Sequence, residues 1–135
     1  MKSNKESTNK IVVVVEKTNT GFSAFTNDYP IFTTGTNMSE LIGNTIEAVN
    51  FYFEDENKNY TQTDISFIID FKQFFQYYKV INAKFLAQKI GMNETLLSQY
   101  VQGRKKPSEQ QTNKILDGIH QIGRELSDIN LIHRI

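Results

Sequence analysis

Carboxylates are the first residues in this sequence that could do chemistry. Glu16, Asp28, Glu47, Asp64 and Asp70 are of the type that holds two metal ions on a phosphate in nucleases, provided the fold brings them together. Nothing in their spacing forces that. The β-branched run Ile11 to Val15 carries no acid, Glu16 stands only at its end, and Asp28 falls in a turn, so no enzymatic activity is expected. The chain has no cysteine, which removes disulfides, thiolate metal sites and thiol nucleophiles together. His120 and His133 have no carboxylate or hydroxyl at a useful fixed spacing and are expected at the surface. With no phosphate-binding glycine loop and no histidine-rich metal spacing, neither a metal nor a cofactor is expected.

Charge is more informative than the acids taken singly. Lys plus Arg total 15 and Asp plus Glu total 15, a balance that by itself argues against a nucleic-acid partner. The distribution reverses that conclusion. From Thr36 to Asp70 the acids Glu40, Glu47, Glu54, Asp55, Glu56, Asp64 and Asp70 meet only Lys58, whereas from Lys79 to Pro107 the bases Lys79, Lys84, Lys89, Arg104, Lys105 and Lys106 meet only Glu94. Halves of opposite sign suit different partners. The longest apolar run, Ile11 to Val15, is far short of the ~20 residues a membrane span needs and lacks a signal-peptide cleavage site, so a soluble, cytoplasmic protein without a membrane partner is expected.

The elements that must position these groups follow from periodicity. Met1 to Lys10 is polar and aperiodic, a flexible arm. Ile11 to Val15 reads as a strand covered on both faces, Phe22 to Thr26 as a second strand, and Ile31 to Thr34 as a third, with turn residues between them. Asn37 followed by Glu40 resembles a capping box that opens a helix running to about Asp55, with Leu41, Ile42, Ile46, Val49, Tyr52 and Phe53 as its apolar stripe. Ile65 to Ile69 is a fourth strand and Phe71 to Tyr78 a short aromatic helix or connector. The fold class is therefore α+β: an antiparallel sheet with helices on one face over residues 11–78, then an all-α region over 79–135.

Within that second region Leu86, Ala87, Ile90, Gly91, Met92, Leu97 and Tyr100 occupy the positions a helix-turn-helix requires. Ala87 permits close approach, Gly91 takes the left-handed conformation of the turn, and Met92 and Leu97 close the core beneath the angle. The segment is similar to the Cro and lambda-repressor type, also called the XRE family, and the tail Gly103-Arg104-Lys105-Lys106-Pro107-Ser108 strengthens the likeness. The resemblance implies binding of double-stranded operator DNA. Asn93, Glu94, Thr95, Ser98 and Gln99 would face base edges, with Gln99 suited to adenine, Glu94 to cytosine and Thr95 to a thymine methyl. Lys84, Arg104, Lys105 and Lys106 would contact phosphates. Ser108 with Gln111 starts a further helix, in which Ile115, Ile119, Ile122, Leu126 and Ile129 form a narrow apolar seam, prolonged by Leu131, Ile132 and Ile135. Part of this seam packs on the helix-turn-helix; the excess predicts a homodimer or higher even oligomer.

The amino-terminal half carries a second resemblance. Gly21-Phe22-Ser23-Ala24-Phe25, Asp28-Tyr29-Pro30, Thr34-Gly35-Thr36 and the helix segment Asn44-Thr45-Ile46-Glu47-Ala48-Val49 together resemble the HicB antitoxin domain, over Ile11 to about Phe71. Departures are Ile31-Phe32, where that family often has glycine and cysteine, and the aromatic stretch Phe71 to Tyr78. The resemblance implies a partly degraded ribonuclease-H-like fold that neutralises a small basic ribonuclease toxin of the HicA type by covering it, the pair repressing its own promoter. Glu47, Glu54 and Asp55 are the acids expected to meet that toxin. The alternative is a free-standing XRE-type repressor whose sheet domain senses a ligand or dimerises.

Overall fold

Residues Ile11–Thr18 form β1 in a computed structural model of the protein, which describes residues 10–131. Across the turn Asn19-Thr20, β2 (Gly21–Phe25) pairs back antiparallel, with Val15 opposite Ala24 and Lys17 opposite Phe22. β3 (Phe32–Gly35) pairs antiparallel with β2. Helix α1 (Met38–Tyr52) then leads to β4 (Ile65–Ile69), which pairs with the other side of β1, Val13 opposite Phe67. The order is β3-β2-β1-β4. β4 runs parallel to β1, so the sheet is mixed, a correction to the antiparallel sheet expected from the sequence. Here α1 carries the chain from the end at which β3 finishes back to the end at which it began, so β4 runs in the direction of β3 and of β1. Strand periodicity carries no such information about direction.

The expected covering of Ile11 to Val15 on both faces also fails. Val13 and Val15 join Ala24, Leu41, Val49, Phe53 and Ile65 in one buried cluster beneath α1. Residues of the opposite phase do not: Val12 is exposed and Val14 half-buried. A run of valines is thus consistent with a sheet whose second face is covered only in part, as at Ser23, which lies opposite Glu16 and is buried. β1 continues to Thr18, beyond the expected end at Val15, because β2 pairs with it as far as Thr18. α1 stops at Tyr52, short of Asp55; Glu54–Glu56 form a separate 3-10 turn ended by Asn57 at φ 54°. At its start Asn37 Oδ1 accepts from the Glu40 N–H at 2.8 Å, while the Glu40 carboxylate reaches past the cap to accept from both the N–H and the hydroxyl of Thr36 at 2.6 Å.

The aromatic stretch acquires a role. It forms α2 (Phe71–Tyr77), with Phe71 and Phe75 buried. β4 ends opposite Val15, which would leave the β4-side edge of β1 unpaired at Lys17. Gln73 of α2 replaces the missing strand: its Oε1 accepts from Lys17 N–H at 2.9 Å and its Nε2 donates to Lys17 C=O at 2.7 Å.

Two units divide the chain between Tyr77 and Tyr78. The second contains α3 (Ala83–Ile90), α4 (Glu94–Val101), α5 (Glu109–Ser127) and a short 3-10 segment, Asp128–Leu131. Each helix is capped by a side chain, Asn82, Asn93 and Ser108 in turn, accepting a backbone N–H of the first turn. α5 packs closely on α3 at Gly118, where a β-carbon would stand 2.3 Å from Ile90 Cγ2 and 3.2 Å from Leu86 Cδ1. The contact is extended by the ion pair of Lys89 with Glu125 at 3.1 Å. Residues 1–9 of the expected arm, His133 and the seam residues Ile132 and Ile135 lie outside the described residues, as does the side chain of Leu131. No helix among the described residues is long and apolar enough to cross a membrane.

Gly118→Ala is expected to destabilise the carboxy-terminal unit by about 1 to 3 kcal/mol through overpacking. Gly91→Ala, where nothing lies within 4 Å of a β-carbon but φ is +72°, should cost about 1 to 2 kcal/mol through backbone strain alone. Adding Ile90→Ala should relieve the first and leave the second unchanged, as read by urea unfolding of the single and double variants.

Candidate nucleic-acid interface

Three residues, Gly91-Met92-Asn93, join α3 to α4. Gly91 lies at φ +72°, its N–H donates to Gln88 C=O at 3.3 Å and that of Met92 to Ala87 C=O at 2.9 Å, the paired bonds that end a helix in a left-handed residue. Met92 is thereby turned inward and is buried with Leu86, Ala87, Leu97 and Tyr100. The face of α4 opposite Leu97 and Tyr100 is polar. Glu94 and Thr95 are exposed, and Ser98 and Gln99 half-buried, so the first two turns present an unbroken strip of hydrogen-bonding side chains.

The same paired bonds recur where α4 ends. Gly103 lies at φ +77°; its N–H donates to Tyr100 C=O at 3.1 Å, and Arg104 N–H donates to Gln99 C=O at 2.9 Å. The basic loop is therefore tied by its backbone to the helix that carries the polar strip. Arg104, Lys105 and Lys106 are all exposed, as is Lys84 in the first turn of α3. Among the described residues none of these cations forms an ion pair, in contrast to Lys89, which is held by Glu125.

Two of the expected base-facing residues have prior commitments. Asn93 Oδ1 is the cap of α4, accepting from Leu96 N–H at 3.0 Å, which leaves only its amide N–H groups to donate outward. Glu94 Oε2 accepts from Gln88 Nε2 at 2.9 Å, so Gln88 on α3 orients the first side chain of α4. Gln88 escaped the sequence reading because its contact spans the turn, where helical periodicity gives no register. Thr95 and Gln99 side chains make no hydrogen bond within the described residues, whereas Ser98 Oγ accepts from Gln102 Nε2 at 3.2 Å.

The proposed seam on α5 divides. Ile115 is fully buried, 0 % exposed, and belongs to the core of this unit, which corrects its assignment to an intermolecular seam. Ile119 and Ile122 are half-buried, and Leu126 (60 %) and Ile129 (54 %) are exposed. The cause is the close approach at Gly118, which uses the first half of the stripe inside the unit and leaves the second half open.

In the amino-terminal unit, Glu47, Glu54 and Asp55 are exposed on α1 and the turn after it. Of the acids considered for metal chemistry, only Glu16 and Asp70 are brought together, at the adjacent ends of the parallel strands β1 and β4. Burial first, then the charge of Asp70 and a hydrogen bond to it, hold the Glu16 carboxyl above its ordinary value. Asp70 is itself anchored, its Oδ1 accepting from Gln73 N–H at 3.1 Å. The pair was invisible in the sequence because it depends on β4 being parallel to β1. No group of three or more potential metal ligands occurs among the described residues. Comparison of the chain with protein-family models, with curated proteins and with solved structures finds no match.

A carboxyl raised in the folded state contributes stability that is full below its unfolded value and is lost as pH rises through its folded value. Stability should therefore show a component that declines above about pH 4, and Glu16→Gln should remove it. For Glu40, held below its ordinary value by its hydrogen bonds to Thr36, the sign is opposite: its contribution is present at neutral pH and lost on acidification. Urea unfolding of both Gln variants across this range separates the two.

Proposed function

We propose that this protein is a DNA-binding repressor and antitoxin: α3 and α4 act as a helix-turn-helix on operator DNA, and the sheet unit binds and neutralises a small basic protein of the HicA ribonuclease type. The observation that carries the DNA-binding part is the polar first half of α4, standing free beside a basic loop whose backbone is bonded to the same helix. A helix enters the major groove with its amino-terminal residues toward base edges, while flanking Lys and Arg side chains neutralise phosphates. Thr95 and Gln99 are the side chains free to read bases; Glu94, oriented by Gln88, would be presented in one rotamer. Lys84, Arg104, Lys105 and Lys106 supply affinity and salt dependence.

The antitoxin part rests on the ordered HicB-like segments from Gly21 to Val49 and on the exposed acids of α1. The strand order β3-β2-β1-β4, with β4 parallel to β1, supports a partial ribonuclease-H-like reading of the sheet. Neutralisation by coverage requires no chemistry from this chain. A small basic toxin is expected to be encoded beside it, and co-expression of the two should restore growth. Failure to rescue or to co-purify would leave the operator-binding half as a free-standing repressor.

Gln99→Ala is expected to relax preference at one base pair at a cost of about 1 to 3 kcal/mol. Lys105→Ala should weaken all sequences alike and reduce the salt slope by about one. Gel shifts on randomised operators and a salt titration read the two effects. Sequence-independent loss at Gln99 would mean that α4 does not lie in the groove.

One small helix-turn-helix offers little interface, whereas two reach successive major grooves about 34 Å apart. The exposed Leu126 and Ile129 are the apolar surface for such pairing. Leu126→Glu should yield monomers in analytical ultracentrifugation and abolish operator binding without unfolding the unit, since the side chain is not part of its core. A wild-type monomer at micromolar concentration would overturn the dimeric mode.

A further inference from the structure

β3 is one of the two edge strands of the sheet, next to β2 alone. The carbonyl of Thr34 faces away from β2, because Asn44 Nδ2 donates to it from α1 at 2.8 Å. Backbone groups in an antiparallel ladder alternate every residue between the partner and the outside, so the N–H and C=O of Phe32 face outward as well. Beside this edge, Thr33 and the α1 residues Asn44, Glu47, Ala48 and Phe51 line a shallow cleft. Phe51 is 75 % exposed and Phe32 66 % exposed, on opposite sides of the edge: Thr33 shares the α1 side of the sheet with its partner Ala24, and Phe32 shares the open side with its partner Phe25. Large exposed aromatics thus flank a strand edge that has no neighbouring strand and on which the Thr34 carbonyl accepts from Asn44, the kind of surface on which a further strand can dock.

We propose that an extended, basic segment of a partner protein adds to the free edge of β3 as a further strand, placing alternate side chains over Phe32 and into the cleft of Ala48 and Phe51. Charge selects this occupant. Glu47 lines the cleft, and Glu54 and Asp55 lie in the turn that follows α1. Pairing with β3 of a second copy would bring the same acids of both chains toward one another, an unfavourable arrangement, whereas Lys or Arg at alternate positions of an incoming strand meets them with opposite sign. Main-chain hydrogen bonds would supply affinity and the two aromatic sites the register. The inference rests on the reading of the sheet unit as partner-binding and gives that partner a place on this chain.

The test uses the full-length protein and a synthetic peptide of strictly alternating Arg and Val. Two controls are a peptide of the same composition with its Arg and Val in separate blocks, and one of alternating Glu and Val. Amide NMR should show resonances of Phe32, Thr33, Thr34, Gly35 and Phe51 shifting together and saturating with the alternating basic peptide only, with affinity falling as salt is added. Glu47→Lys and Phe51→Ala should each weaken binding by about tenfold. Phe32→Pro, which removes an outward N–H and leaves the ladder to β2 in place, should abolish it, with circular dichroism to confirm the fold. Absence of saturable shifts, shifts centred away from β3, or equal binding by the block or acidic peptide would overturn the proposal. Should Phe32→Pro unfold, the other two variants decide. Operator binding by gel shift on the same samples keeps the readings apart: peptide failure with intact DNA binding removes this surface alone, and peptide binding without DNA binding removes the repressor.

Discussion

The angle between α3 and α4 is the constraint on which the carboxy-terminal unit depends. It is set by a turn too short to be made without a left-handed residue, and Gly91 at φ +72° supplies one with no steric penalty. The hydrogen bonds of Gly91 and Met92 to the last turn of α3 then orient Met92 into the core, beneath the angle. Once α4 is fixed, its polar face and the basic loop bonded to its end are fixed with it. Gly118 supports the arrangement from α5, since a β-carbon there would collide with Ile90 and crowd Leu86. Two glycines thus act by different physics, one through backbone conformation and the other through space.

The amino-terminal unit is organised by unequal covering of its sheet. α1 lies over one face, and the buried cluster from Val13 to Ile65 forms there. The other face carries a row running through all the strands in register, Ile68 beside Val14 beside Phe25 beside Phe32, with Phe32 the most exposed at the edge. α2, with Phe71 and Phe75 buried, compensates for the shortness of β4 by lending the amide of Gln73 to Lys17. A side-chain amide can do this because it carries one donor and one acceptor in the same geometry as a peptide group.

Charge is sorted between the units. The acids of Thr36 to Asp70 and the bases of Lys79 to Pro107 cancel in the total and belong to different units. Cations that stay unpaired, at Lys84 and Arg104 to Lys106, are available to an outside anion, whereas Lys89, in the same basic stretch, is used internally against Glu125. A count of charges treats these residues alike, and only the fold distinguishes them.

Local signals were legible in the sequence wherever a structure depends on neighbours along the chain. The caps at Asn37, Asn93 and Ser108, the turn at Gly91 and the extent of α4 all rest on interactions within a few residues. What depended on distant partners was not legible. The direction of β4 follows from a crossover, and with it the meeting of Glu16 and Asp70. The division of the α5 stripe into a buried Ile115 and an exposed Leu126 follows from where α3 crosses it. The tie from Gln88 to Glu94 spans a turn that interrupts helical register. Periodicity identifies which residues share a face of an element; whether that face is covered, and by what, is decided only when the elements pack.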